Sequence, residues 1–110
     1  KAEAEQMLLD LLIENIKGLD SSQKIMLKLS LPDQNNHYAP CIEHPNVIRV
    51  VALSGGYSRE EANARLSRNQ GMTASFSRAL TEGLSAGQTD SEFNQKLDST
   101  IDSVFQASIT

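Results

Sequence analysis

Three polar positions in this chain are of types that could do chemistry together. Lys28 interrupts the apolar run IMLKLSL at residues 25–31. In an extended strand, alternate side chains share a face, which groups Met26, Lys28 and Ser30 opposite Leu27 and Leu29. A lysine set between leucines in a sheet loses hydration, and this favours the neutral amine that attacks a carbonyl to form an imine. The competing reading is an edge-strand lysine whose ammonium reaches water.

The second position is the loop of Ser54, Gly55 and Gly56, which ends the run VIRVVAL. A strand end, two glycines and a helix start expose backbone N–H groups beside a positive helix terminus, which suits an anion. Two glycines after a strand also make a plain tight turn, and the spacing matches neither the P-loop nor the dinucleotide fingerprint. The third position is Arg78, directly after MTASFS and therefore at the same end of a sheet as Ser54. It can fork onto a phosphate or form a surface pair with Glu82, four residues on.

Other polar residues carry weaker signals. His37 and His44 fall in a loop region with no spaced partner. Asp33 ends near the mouth, where it could contact a substrate. Arg49 breaks an apolar strand and is expected to pair with a carboxylate outside this chain. Glu60, Glu61, Arg65 and Arg68 read as a solvated helix face.

These residues need elements to position them. Residues 2–17 place Ala4, Met7, Leu8, Leu11, Leu12 and Ile16 at helical spacing, with Gly18 at the expected C-terminal glycine. Strands are expected at 25–31, 47–54 and 72–77, the second so continuously apolar that both its faces should be covered. One or two helical turns are expected at 40–44. Ser58 with Glu61 and Thr89 with Glu92 have capping-box spacing. The first pair should start a helix to about residue 68. The second should start a long final helix with Phe93, Leu97, Ile101, Val104 and Phe105 on one face. A short helix is expected at 78–84.

The order of helix, strand, helix, strand, helix, strand, short helix and helix argues a parallel α/β sheet with crossover helices. Three strands leave two unpaired edges, and a complete (β/α)₈ barrel takes about 250 residues. The expectation is therefore a part of a larger α/β domain.

Composition narrows the function classes. The chain has 110 residues, 39% hydrophobic and 22% charged, an ordinary globular balance. A net charge of −4 without a basic stripe disfavours nucleic-acid binding, which needs clustered Lys and Arg. No apolar run approaches the roughly 18 residues of a membrane span, and KAEAEQ does not resemble a signal peptide. Cys41 is the single cysteine, so no internal disulfide and no cysteine metal cluster is expected. These totals favour the cytoplasm, with no membrane association.

IMLKLSLP, VIRVVALSGGYSREEANARL and TASFSRAL, in that order, resemble the C-terminal part of a class I fructose-bisphosphate aldolase of the bacterial type. The likeness covers essentially the whole chain and about the last third to two fifths of a complete enzyme of that fold. It implies part of a TIM barrel: the last helix of the fifth unit, then βα units six to eight, over residues 1–110. Lys28 matches the Schiff-base lysine on strand six. Ser54 and Gly55 match the loop that holds a substrate phosphate through hydroxyl and backbone N–H. Arg78 matches the phosphate-binding arginine after strand eight, with Ser77 where animal relatives have a glycine.

The implied reaction is retro-aldol cleavage of fructose 1,6-bisphosphate to dihydroxyacetone phosphate and glyceraldehyde 3-phosphate, in glycolysis and gluconeogenesis. It needs no metal or other cofactor, because the protonated imine is the electron sink. The implied partner is a sugar phosphate, and the complete enzyme is expected to be a homo-oligomer. The family's other acid/base residues fall upstream of Lys1, so this chain alone should not catalyse the full cycle. A non-catalytic phosphate-binding or interaction module using Ser54 to Arg78 is the rival reading. A transaldolase-like enzyme is a third, against which the pairing of SGGYSREEA with SFSRAL speaks.

Overall fold

The computed structural model describes residues 1–109, and its elements follow the order expected from the sequence. They are α1 (Ala2–Lys17), β1 (Ile25–Ser30), α2 (Ala39–Ile42), β2 (Val47–Leu53), α3 (Arg59–Ser67), β3 (Met72–Ala74), α4 (Arg78–Thr81) and α5 (Asp90–Ser108). The strands form one parallel sheet in the order β1-β2-β3.

Local signals place most of the element ends. Ser58 Oγ accepts the Glu61 N–H at 3.2 Å and opens α3. Thr89 and Glu92 complete a reciprocal capping box: Thr89 Oγ1 accepts from Glu92 N at 3.1 Å, and Glu92 Oε1 accepts from Thr89 N at 3.2 Å. Gly18 follows α1, as its position suggests, yet at φ −80° it stays in the right-handed region. The left-handed glycine cap is not used there.

The sheet has one covered face. Leu29, Val50, Ala52 and Met72 are buried, together with Ala62 and Leu66 of α3 and Cys41 of α2. A fully buried leucine such as Leu66 contributes about 1.5–3 kcal/mol. The opposite face carries Met26, Lys28, Arg49 and Val51, and Met26 is 59% exposed. Residues 47–54, apolar as in a strand covered on both faces, are covered on one face by the described residues. Ile48 stands out of register where Ile25 pairs with Val47 and Met26 with Arg49, and it is 64% exposed.

The third strand is shorter than the segment 72–77 suggests. It pairs with β2 through Ala74, and one further bond runs from Ser75 N–H to the Ala52 carbonyl at 2.8 Å. On its outer edge Ala74 N–H donates to Ser108 Oγ of α5 at 3.1 Å. Phe76 then turns into the core, which draws the chain out of the ladder.

Each long helix buries only part of its apolar stripe. In α1 the buried residues are Glu5, Leu9 and Ile16, while Met7, Leu8 and Leu11 are exposed. In α5, Thr100 and Ala107 are buried, whereas Phe93, Ile101 and Phe105 are exposed. The apolar stripes exist, but the most buried residues of each helix lie largely to one side of them.

Candidate functional site

The register of the sheet sets the height of each candidate. Lys28 pairs with Val51 and Ser30 with Leu53. Lys28 thus lies two residues, about 7 Å at 3.3 Å per residue, below the end of β1. Its flexible stem carries the amine along the open face toward the strand ends. Lys28 is exposed, so the loss of hydration expected of it does not occur in this chain, whose sheet leaves that face open.

At the end of β2, Ser54 is buried at 4% exposure, and its carbonyl accepts the Tyr57 N–H at 3.1 Å. This bond closes a turn over Gly55 and Gly56, whose φ angles are +63° and +84°. Both central residues are left-handed, a conformation glycine adopts without steric cost. The turn leads directly into the start of α3.

Ser77 precedes α4, and Arg78 is its first residue. The surface pair with Glu82 does not form. The Glu82 carboxylate instead accepts the Arg59 N–H at 2.9 Å. Among the described residues no carboxylate pairs with Arg78 or with Lys28.

One pocket of about 140 Å³ gathers all five candidates: Lys28, Ser54, Gly55, Ser77 and Arg78 line it, with Leu53 and Ser75. A primary amine, an arginine, hydroxyls and glycine N–H groups around one mouth can form an imine and hold an anion. A larger recess of about 410 Å³ lies elsewhere, against Arg59, Asn63, Glu82, Thr100 and Ser103. It contains no lysine, and Arg59 Nη1 is engaged by the Glu82 carbonyl at 2.6 Å. It is less suited to either task. No group of three His, Cys, Asp or Glu side chains converges as a metal site among the described residues.

Beside the mouth lies a charged cluster that the sequence reading did not assemble. Asp33 Oδ1 accepts from Arg65 Nη1 at 3.0 Å and from Lys1 Nζ at 3.2 Å. Lys1 Nζ also donates to Tyr57 Oη at 2.9 Å, and the Arg65 guanidinium lies 4.4 Å from the Tyr57 ring centroid. Arg65 Nε donates to Glu61 Oε1 at 2.9 Å.

These contacts shift the charges in consistent directions. The Lys1 hydrogen bond, then that of Arg65, holds the Asp33 carboxyl below its usual range. The Tyr57 hydroxyl chiefly holds the Lys1 ammonium above its usual value, against an opposing effect of burial. Asp33 is thus paired with two cations. Arg65 is not a solvated charge but pairs with Glu61 and Asp33 and lies over the Tyr57 ring. Its four-residue spacing from Glu61 was the only sequence signal of an ordered guanidinium. Within the chain, Arg49 Nη1 donates to Thr73 Oγ1 at 3.2 Å.

The two histidines have structural partners. His37 Nε2 lies 3.0 Å from the Glu5 carbonyl oxygen, and His44 Nδ1 accepts the Asn46 N–H at 3.2 Å. No helix among the described residues is long and apolar enough to cross a membrane.

Comparison with known proteins extends the motif resemblance over the whole chain. The chain is 61% identical over 110 residues to a class 1 fructose-bisphosphate aldolase of Synechocystis sp.. It is 51% identical over 110 residues to one of Clostridium acetobutylicum, and 54% identical over 109 residues to one of Porphyromonas gingivalis. It spans 36–37% of the length of these curated relatives. No family model matches the chain.

Proposed function

We propose that this chain is the imine-forming part of a class I fructose-bisphosphate aldolase, and that its 140 Å³ pocket is one side of the active site. The observation that carries the reading is the gathering of Lys28, Ser54, Gly55, Ser77 and Arg78 around one mouth. Identity of 51–61% to three proteins of that name favours it over a non-catalytic phosphate-binding module.

In this reading the sheet is part of a (β/α)₈ barrel, with β1, β2 and β3 as its sixth to eighth strands. The open face bearing Lys28 and Arg49 is the barrel interior, and further strands pair with both sheet edges. Closing that face removes water from Lys28 and favours its neutral amine. The mouth lies beyond the C-terminal ends of the strands, where barrels of this kind place their active sites.

The chemistry follows from the groups present. The neutral Lys28 amine adds to the C2 carbonyl of the ketose and water departs, leaving a protonated imine. The C3–C4 bond then breaks, its electron pair passing into the iminium to form an enamine. The C4 hydroxyl loses its proton to a base outside this chain, and the C4 oxygen becomes the aldehyde of glyceraldehyde 3-phosphate. Protonation of the enamine at C3 and hydrolysis release dihydroxyacetone phosphate and restore Lys28.

The substrate phosphate is held by the Ser54 hydroxyl, the Gly55 and Ser77 N–H groups and the Arg78 guanidinium. These donors fix the ketone above the amine, converting the addition into an effectively intramolecular step.

Borohydride reduction tests this reading. The complete protein containing this segment, reduced in the presence of dihydroxyacetone phosphate, should carry a covalent adduct on Lys28, located by peptide mass spectrometry. Absence of the adduct, or its appearance on another lysine, would overturn the assignment. Lys28→Met should abolish cleavage while the protein still binds inorganic phosphate.

A further inference from the structure

We propose that Asp33, Arg65 and Tyr57 form a positioning clamp that holds the Ser54–Tyr57 turn in its anion-facing shape and thereby sets affinity for the substrate phosphate. The proposal deepens the reading of the pocket given above and rests on it.

The turn needs such support. Its two central residues are glycines at positive φ, the residue type with most conformational freedom to lose. They have no side chains with which to pack the loop against the body of the protein. The turn's own restraint is the single bond from Tyr57 N–H to the Ser54 carbonyl, at 3.1 Å. Whatever fixes Tyr57 therefore fixes the N–H groups of Gly55 and Gly56.

Tyr57 is fixed from the side by groups distant in sequence. The Arg65 guanidinium lies over its ring at 4.4 Å, within the range of a cation–π contact. Arg65 is itself oriented by Glu61 on its own helix and by Asp33, three residues beyond the end of β1. The Asp33 loop is not a loose support. Its backbone N–H donates to Glu5 Oε1 at 3.2 Å. Farther along, Asn36 N–H donates to Asn69 Oδ1 at 2.9 Å, and Gln70 N–H donates to Asn36 Oδ1 at 2.8 Å. Asn69 is 2% exposed, and its amide donates to the Arg65 carbonyl at 2.7 Å.

The loop after β1 is therefore tied to α3 at Arg65 and to the turn after α3 at Asn69 and Gln70, and α3 presents Arg65 to Tyr57. The contacts run from the strand that carries Lys28 to the loop that faces the anion. They hold the two at a constant spacing. Each surface contact is weak alone, but an ordered loop binds its ligand without first losing conformational freedom. The phosphate is not a reacting group, so the clamp acts equally on bound substrate and transition state. Its loss should raise KM and leave kcat in place.

The test uses the complete protein with Asp33→Asn, Arg65→Gln, their double variant, Tyr57→Leu and Tyr57→Phe. Calorimetric titration with inorganic phosphate gives Kd, cleavage of fructose 1,6-bisphosphate gives KM and kcat, and thermal melting reports folding. Asp33→Asn, Arg65→Gln and Tyr57→Leu should each raise phosphate Kd and KM about three- to tenfold, with kcat within about twofold. The double variant should match the worse single one, because the two residues act through one contact. Tyr57→Phe keeps the ring beneath Arg65 and should recover most of the affinity lost in Tyr57→Leu.

Unchanged phosphate Kd in Asp33→Asn and Tyr57→Leu would overturn the clamp, as would a fall in kcat at constant KM. The two proposals fail separately. A Lys28 adduct with no change in phosphate affinity among the variants removes the clamp and keeps the aldolase reading. No adduct, with phosphate affinity still dependent on Asp33 and Tyr57, removes the aldolase reading and keeps the clamp.

Discussion

Gly56 lies against the guanidinium of Arg78: a Cβ at Gly56 would stand 3.9 Å from Nη2 and 4.0 Å from Nη1. The loops leaving β2 and β3 thus meet, one presenting backbone N–H groups and the other a fork of N–H donors.

That contact makes Gly56→Ala informative. The added methyl has ordinary contact distances, so the cost comes from the backbone at φ +84°. Forcing an L-residue into that region costs about 1–2 kcal/mol. Denaturant unfolding of the complete protein should show this loss, and inorganic phosphate should bind more weakly. Gly18→Ala is the control: at φ −80° alanine fits, and stability should be unchanged or rise by about 0.4–1 kcal/mol.

Arg78→Lys should separate charge from geometry. Lysine keeps the charge but loses the bidentate fork. A hydrogen bond to a charged group contributes about 1.5–3 kcal/mol, so losing one should raise KM about tenfold or more. Arg78→Gln should raise it further. Steady-state kinetics on the complete protein read the effect, and an unchanged KM would count against a phosphate contact.

Asp33 supplies a pH prediction. Its carboxyl is held below the usual range in the folded chain by Lys1 and Arg65. A carboxyl with a depressed folded pKa contributes stability above its unfolded value of about 3.9, and that contribution is lost as pH falls through the lower folded value. The stability difference between the parent protein and Asp33→Asn should therefore be constant from neutral pH down to about pH 5 and shrink in stronger acid. Unfolding curves across that range check the sign. A difference that grows in acid would contradict the ion pairs.

Cys41 should resist alkylation. It is fully buried at 0% exposure, and burial pushes its thiol above the usual value. The thiolate is the reactive form. Iodoacetamide near neutral pH should modify the folded protein far more slowly than the denatured one. Equal rates would mean that α2 opens readily.

Much of the fold was legible because its signals are short-ranged. Ser58 with Glu61 and Thr89 with Glu92 announce helix starts, since a cap bonds to a backbone N–H three residues on. Strand positions followed from apolar runs bounded by turn residues. The end of β3 was not legible, because the burial of Phe76 and the Ser108 contact to Ala74 come from other parts of the chain. The helix faces were only partly legible for a related reason. Met7, Leu11, Phe93 and Phe105 form apolar stripes, but a stripe shows only that a surface is apolar, not which element lies against it.

The site divides in the same way. Lys28, Ser54, Gly55, Ser77 and Arg78 were named from residue type, position at strand ends and the motif resemblance. The structure brings all five around one pocket. Asp33 and Arg65 had separate readings and Tyr57 had none, and only packing joined them. Asp33 meets Arg65 across 32 residues, and Lys1 meets Tyr57 across 56. Sequence determines what each short segment can do through bonds that close within about four residues. Which segments then face one another depends on burying apolar surface from the whole chain at once, and only the tertiary structure decides that.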